Sequence, residues 1–123
     1  MLVFVSSVVG KRGTPFNSGY CSSKFAVQGL TESIRPELKK KNIHVLTVCP
    51  PGVDTPFFEK NNRGGGKRFR LHPVEKISKM IVKGCEAEKR EMWLTMDSKI
   101  LVLANMMFPK VLDWAIPARK GEK

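Results

Sequence analysis

The chain has 123 residues and carries 22 Lys plus Arg against 11 Asp plus Glu, a net charge of +11. That length holds one small domain with a real core and excludes two. The charge attracts anions, whether nucleic acid, acidic lipid or a charged substrate, without choosing among them. Cys21, Cys49 and Cys85 are odd in number and lack metal-ligand or CxxC spacing, which leaves no metal site and fits reduced thiols in a cytosolic protein.

Leu2 to Val5 is a continuous apolar run, the pattern of a strand buried on both faces of a parallel sheet. Met1 to Val5 is too short, and lacks the basic n-region, for a signal peptide. Gly10 to Gly13 and Pro15 predict a loop, and Asn17 or Ser18 can cap the helix that follows. Val27, Leu30, Ile34 and Leu38 recur at helical spacing as its expected core face. Pro36 is expected to kink or weaken that helix, and Lys39 to Asn42 ends it.

Ile43 to Val48 reads as a second strand, so strand, helix and strand form a crossover unit of a parallel sheet. His44 has no nucleophile or metal partner spaced around it and is expected to be structural. The Pro50-Pro51-Gly52-Val53-Asp54-Thr55-Pro56 run breaks the chain at this strand's carboxyl end. Asn61 to Arg70, with three consecutive glycines and four basic residues, reads as a solvated loop rather than a phosphate cradle, because no strand precedes it and no GKS/T follows. Pro73 suits the first turn of a helix whose stripe is Ile77, Met80, Ile81 and Gly84. Glu91 to Thr95 is a short third strand. The chain divides into a segment 1–96 and an apolar, basic tail 97–123, in which Pro109 separates two short helices. The tail's longest uncharged run, Ile100 to Pro109, is far shorter than the roughly 20 residues that span a bilayer. Core packing, a lid over an apolar substrate, or peripheral membrane contact through 98–116 all fit it. Trp114 followed by Arg119 and Lys120 leans towards the membrane surface.

The chemistry lies between Ser7 and Lys24. Tyr20 and Lys24 are four residues apart, one turn along the same helix face. An ammonium at that spacing favours the phenolate electrostatically, and a phenol so placed is a sensible general acid or base for carbonyl/alcohol interconversion. The pair alone is common on helices, where the ring packs and the amine is solvated. Ser7 distinguishes it: this hydroxyl follows the Leu2 to Val5 run, at the strand end where open α/β sheets place ligand chemistry.

Ser7, twelve residues, Tyr20, three residues and Lys24 resemble the catalytic signature of the short-chain dehydrogenase/reductase family. The flanks Val5-Ser6-Ser7, Ser22-Ser23-Lys24-Phe25-Ala26-Val27 and Gly29-Leu30 agree. The resemblance covers the C-terminal half of that family. It implies an α/β fold, a partial Rossmann-like, three-layer arrangement made of the last strands and helices of the doubly wound parallel sheet. It also implies a nicotinamide cofactor, NAD or NADP, and a small-molecule ketone or secondary alcohol as substrate. Tyr20 would pass the proton, Lys24 would support the phenolate and hold the nicotinamide ribose, and Ser7 would bind the substrate oxygen. Cofactor contacts would come from Tyr20, Lys24, Pro50, Val53 and Thr55, although Pro51 stands where the family's turn has glycine. The Pro-Pro-x-x-Asp-Thr-Pro run is similar to the ketosphinganine reductase branch and hints at a lipid-like substrate.

The family's Gly-rich turn and Asn-Asn-Ala-Gly segment have no counterpart here, so the chain alone is expected to be inactive, with Leu2 to Val5 as a bare sheet edge. Homo-oligomerisation through the helix bearing Tyr20 follows from the resemblance. A non-catalytic piece that self-associates or binds a membrane surface is the alternative. No nucleic-acid-reading motif is present, and a cytoplasmic location, with membrane association left open, is expected.

Overall fold

The computed structural model describes residues 1–57 and 71–115. The expected loop at Asn61 to Arg70 and the last residues of the tail lie outside them. Strand β1 (Leu2–Val5) leads into a short 3-10 turn, Val8–Gly10, and then helix α1 (Ser18–Lys39). Strand β2 (Val45–Cys49), helix α2 (Val74–Glu86) and strand β3 (Glu91–Trp93) follow. Helices α3 (Met96–Met107) and α4 (Pro109–Ala115) come last, parted at Phe108 just ahead of Pro109. The sheet order is β1-β2-β3, with both neighbouring pairs parallel.

β2 is central and every residue of it is buried. Because side chains alternate across a strand, Leu46 and Val48 face α2, where they cluster with Ile77, Met92 and Leu94. Met80, Ile81 and Cys85 border this core, and Gly84 lets α2 approach β3 so closely that a Cβ there would collide with the Met92 thioether. The helical stripe predicted for α2 is therefore its packing face. Pro73 sits one position earlier than expected, as the N-cap in an extended conformation.

The opposite face differs from its expected pattern. Leu30 is 49% exposed, and α1 presents Cys21, Gln28 and Thr31 to the interior instead, with Val27, Ile34 and Leu38 half-buried beside them. The reason lies in β2, which turns Thr47 and Cys49 towards this helix. Arg35 Nη2 donates to Thr47 Oγ1 at 3.0 Å and to the Arg90 carbonyl at 3.3 Å. Gln28 Nε2 lies 3.0 Å from Cys49 Sγ, whose buried thiol is pushed up to about 12, chiefly by desolvation. α1 continues through Pro36 to Lys39. Asn42 then adopts a left-handed conformation (φ 56°), and the Ile43 N–H returns to the Leu38 carbonyl at 3.0 Å. His44 is structural as expected, its Nε2 lying 3.1 Å from the Lys89 carbonyl.

Glu91 ties this polar layer together. Its Oε1 meets Lys11 Nζ at 2.9 Å and accepts from Trp93 Nε1 at 3.0 Å. Burial pushes the carboxyl up, but the Trp93 indole, the Lys11 ammonium and the Cys49 thiol outweigh it, so the carboxyl titrates below the ordinary glutamate value. A carboxylate with a depressed folded-state value stabilises the fold above the unfolded value, and that stabilisation is lost as pH falls through the folded value. Glu91→Gln is therefore expected to destabilise by about 1 kcal/mol at neutral pH, the scale of a net hydrogen bond. The gap to wild type should close on acidification below the folded-state value, as urea unfolding across pH would show.

Candidate active site

The carboxyl ends of β1 and β2 meet where the sequence places its reactive residues. The Ser6 N–H donates to the Val48 carbonyl at 2.8 Å, and the Val8 N–H to the Pro50 carbonyl at 3.1 Å. Ser7 lies between them as the N-cap of the 3-10 turn, its Oγ accepting a long 3.4 Å bond from the Val9 N–H. Its neighbour Ser6 is buried, and its hydroxyl donates to the Lys24 carbonyl of α1 at 2.9 Å. Gly10 permits this junction, since a Cβ there would come within 2.5 Å of Ser6 Oγ and 2.8 Å of the Lys24 carbonyl oxygen. Helix and strand end are therefore locked at the residue whose ammonium is functional in the expected scheme.

Lys24 turns that ammonium back over the site. Its Nζ stands 5.5 Å from the centre of the Tyr20 ring and donates to the Val5 carbonyl at 3.1 Å. Leu2 and Ser6 use their N–H groups on β2, so Val3 and Val5 direct their backbone groups towards the open edge. Lys24 thus satisfies an edge carbonyl that has no strand beside it among the described residues. Three donors on one ammonium leave it able to hold Val5 and still reach a ligand hydroxyl. The other flank of Tyr20 is the Phe57 ring, with centroids 5.5 Å apart and planes at 41°. The helix turn Tyr20–Lys24 and the segment after β2 therefore enclose one half-buried phenol.

That segment is held by a parallel bridge between Val53 and His72. The Asp54 N–H donates to the His72 carbonyl and the His72 N–H to the Gly52 carbonyl, so the N–H of Val53 points the other way, with no backbone partner among the described residues. Thr55 Oγ1 donates to the Val53 carbonyl at 3.3 Å, leaving its lone pairs available. An outward N–H, a hydroxyl and an ammonium beside a phenol are donors of the type that a carboxamide and a ribose need, so the residues present fit a nicotinamide nucleotide. His72 is buried, with no hydrogen-bond partner for its Nε2 among the described residues.

The structure brings Tyr20 and Lys24 together, sets Ser7 and Pro50 at the adjoining strand ends, and lays the Val53–Thr55 turn after them. The motif did not reveal the Val5 carbonyl, Phe57, Ser6 or Gly10. Only the doubled serine and the glycine three residues after Ser7 hinted at the junction. Cys21 packs: its Sγ is buried and accepts from the Thr14 N–H at 3.4 Å.

Among known proteins, the family model for short chain dehydrogenases matches residues 1–65. An uncharacterized oxidoreductase of Bacillus subtilis is 35% identical over 119 residues, 91% of this chain and 33% of that protein. A 3-ketodihydrosphingosine reductase of Dictyostelium discoideum is 43% identical over 93 residues, 68% of this chain and 27% of that protein. In fold, the chain is similar to a short chain dehydrogenase from Burkholderia cenocepacia solved in complex with NADP, with a TM-score of 0.78 at 18% identity over 93% of this chain and 46% of that one. A second, from Mycobacterium paratuberculosis and bound to NAD, gives 0.53 at 27% identity over 65% and 36% of the two chains. The chain spans about a third of the length of the curated relatives it matches. With the model match covering more than half of its residues and the phenol–ammonium pair standing at the sheet's carboxyl end, the chain belongs to the short-chain dehydrogenase family.

Proposed function

We propose that this chain carries the proton-transfer site of an NAD(P)-dependent oxidoreductase acting on a ketone or secondary alcohol of apolar, lipid-like character. The observation that carries the reading is the Lys24 ammonium 5.5 Å from the Tyr20 ring, locked to the end of β1 through Val5 and Ser6. When bound, the nicotinamide supplies or accepts the hydride at the carbon. Tyr20 delivers its phenolic proton to the substrate oxygen in reduction and takes it back in oxidation, while Ser7 hydrogen-bonds that oxygen. Lys24 sets its ammonium beside the phenol and holds the ribose, with the Val53 N–H and Thr55 hydroxyl on the cofactor and Pro50 fixing their turn. The relatives' names, a sphingolipid-base reductase among them, and the NADP and NAD of the solved relatives support cofactor and substrate class. The free thiols of Cys21, Cys49 and Cys85 suit a reducing, cytoplasmic setting, and peripheral membrane contact through 98–116 suits the substrate class.

The chain alone is expected to show no nicotinamide-linked turnover. Joined behind the N-terminal part of the Bacillus subtilis relative, it should oxidise NADH or NADPH with a long-chain or steroid ketone. A well-folded fusion that binds the nucleotide and reduces no ketone would refute the reading.

A second reading, self-association, draws on the open edge of β1, where Leu2, Val3 and Val5 are exposed, and on Phe25 and Leu30 exposed along α1. Sedimentation across concentrations tests it, and a monomer throughout argues against it.

A further inference from the structure

α3 is amphipathic in the reverse of the usual sense. Ser98, Val102 and Asn105 turn inward, while Met96, Ile100, Leu103 and Met107 form an outward stripe, each more than half exposed. Their spacing of four, three and four residues keeps them on one face. α4 continues the exposure with Val111 at 58% and Trp114 at 85%. Isolated apolar side chains on a surface need no explanation, but a continuous stripe of this kind marks a contact.

Charge selects the occupant. Lys99 and Lys110 are exposed beside these side chains, and Asp113 is engaged by Arg12 Nη2 at 2.6 Å. Asp97 is exposed as well, its carboxylate held at the start of α3 by Thr95 and the N–H groups of Asp97 and Ser98. Two copies meeting face to face would oppose these lysines on chains that each carry +11. An anionic surface meets the same charges with attraction. α3 is about 18 Å long at 1.5 Å per residue, so it can lie in an interface and not cross it. No described helix is long and apolar enough to cross a membrane.

We propose that the outer face of α3 and α4 docks on an anionic lipid bilayer surface, with Met96, Ile100, Leu103, Met107, Val111 and Trp114 at the acyl boundary and Lys99 and Lys110 among the headgroups. The helices that carry the docked face are hydrogen-bonded to the loop between Ser7 and Tyr20. Arg12, in the loop between Ser7 and Tyr20, donates from Nη1 to Asn105 Oδ1 of α3 at 2.8 Å while its Nη2 pairs with Asp113 of α4. Asn105 Nδ2 returns to the Lys11 carbonyl at 3.4 Å. A cleft of about 660 Å³ opens between this loop, α1 and Asp113, walled in part by Pro15, Cys21 and Phe25. Docking would hold that loop and cleft at a fixed attitude to the lipid, the side from which an apolar substrate arrives. Bilayer binding is read without turnover, so it and the redox reading can fail separately.

The test is co-sedimentation of the 123-residue chain with vesicles of phosphatidylcholine alone and of phosphatidylcholine with phosphatidylserine. Binding is expected to the anionic vesicles, to fall with added salt, and to shift the emission of Trp114 to the blue. Ile100→Asp with Met107→Asp, at exposed positions that should leave the circular dichroism unchanged, should weaken the partition by at least about tenfold. Lys99→Glu with Lys110→Glu should abolish the salt-sensitive part. No binding to anionic vesicles, or undiminished binding by the double aspartate variant, overturns the proposal. So does a concentration-dependent dimer that the aspartate variant disrupts while vesicles stay unbound.

Discussion

Tyr20→Phe is expected to lower kcat for ketone reduction by about 10²–10⁴-fold, the usual contribution of a positioned general acid, in the fusion that restores turnover. The substitution removes one oxygen. The ring keeps its place against Phe57 and under the Lys24 ammonium, since both contacts are made by the aromatic face. Nucleotide affinity should change little, because the Val53 N–H, Thr55 and Lys24 are untouched. A split of this kind, with kcat falling and binding preserved, identifies a group acting in the transition state rather than one holding the fold. A variant retaining most of its turnover would remove Tyr20 from the chemistry.

Gly10→Ala is expected to have the largest structural effect. The added methyl would press on Ser6 Oγ and on the backbone carbonyl of Lys24. A flexible side chain could yield, but the carbonyl belongs to α1 and cannot move without the helix. The Ser6 to Lys24 bond would be strained or broken, and overpacking of this kind typically destabilises by about 1–3 kcal/mol. Function should suffer beyond the stability loss. Lys24 reaches the Val5 carbonyl only while α1 sits close against the strand end, and a displacement near 1 Å at a reacting centre is worth roughly 10²-fold. Denaturant unfolding measures the first effect, and turnover at a temperature where the variant remains folded measures the second. Ser6→Ala, which removes the hydroxyl without adding volume, should show a smaller loss of both.

The sheet was legible because β1 is an unbroken apolar run and β2 is broken only by Thr47, and α2 because its apolar stripe meets an apolar strand face. α1 was legible as a helix and misread as a surface. Its periodic Val27, Leu30, Ile34 and Leu38 outrank Gln28 and Thr31 on any hydrophobic scale, yet the strand opposite offers Thr47 and Cys49, which Arg35 and Gln28 meet, while the buried Thr31 hydroxyl bonds back to the Gln28 carbonyl. A single helix does not carry that information, which resides in the face it meets. The spacing of Tyr20 and Lys24 foretold their shared face. It could not foretell the acceptor that orients the ammonium, because Val5 contributes only its carbonyl, a group every residue has. Likewise, Gly10 looked like a turn residue until Lys24 was seen beneath it.

The central claim is that Tyr20 and Lys24 act as one unit, and a double-mutant cycle in the active fusion addresses it most directly. Tyr20→Phe, Lys24→Met and the pair together are compared in kcat/KM. Once the phenol is gone the ammonium has nothing to activate, so the double variant should lose about as much as Tyr20→Phe alone, apart from a small binding loss. Losses that simply add, to within about 0.5 kcal/mol, would mean that the two side chains work independently and would contradict the account.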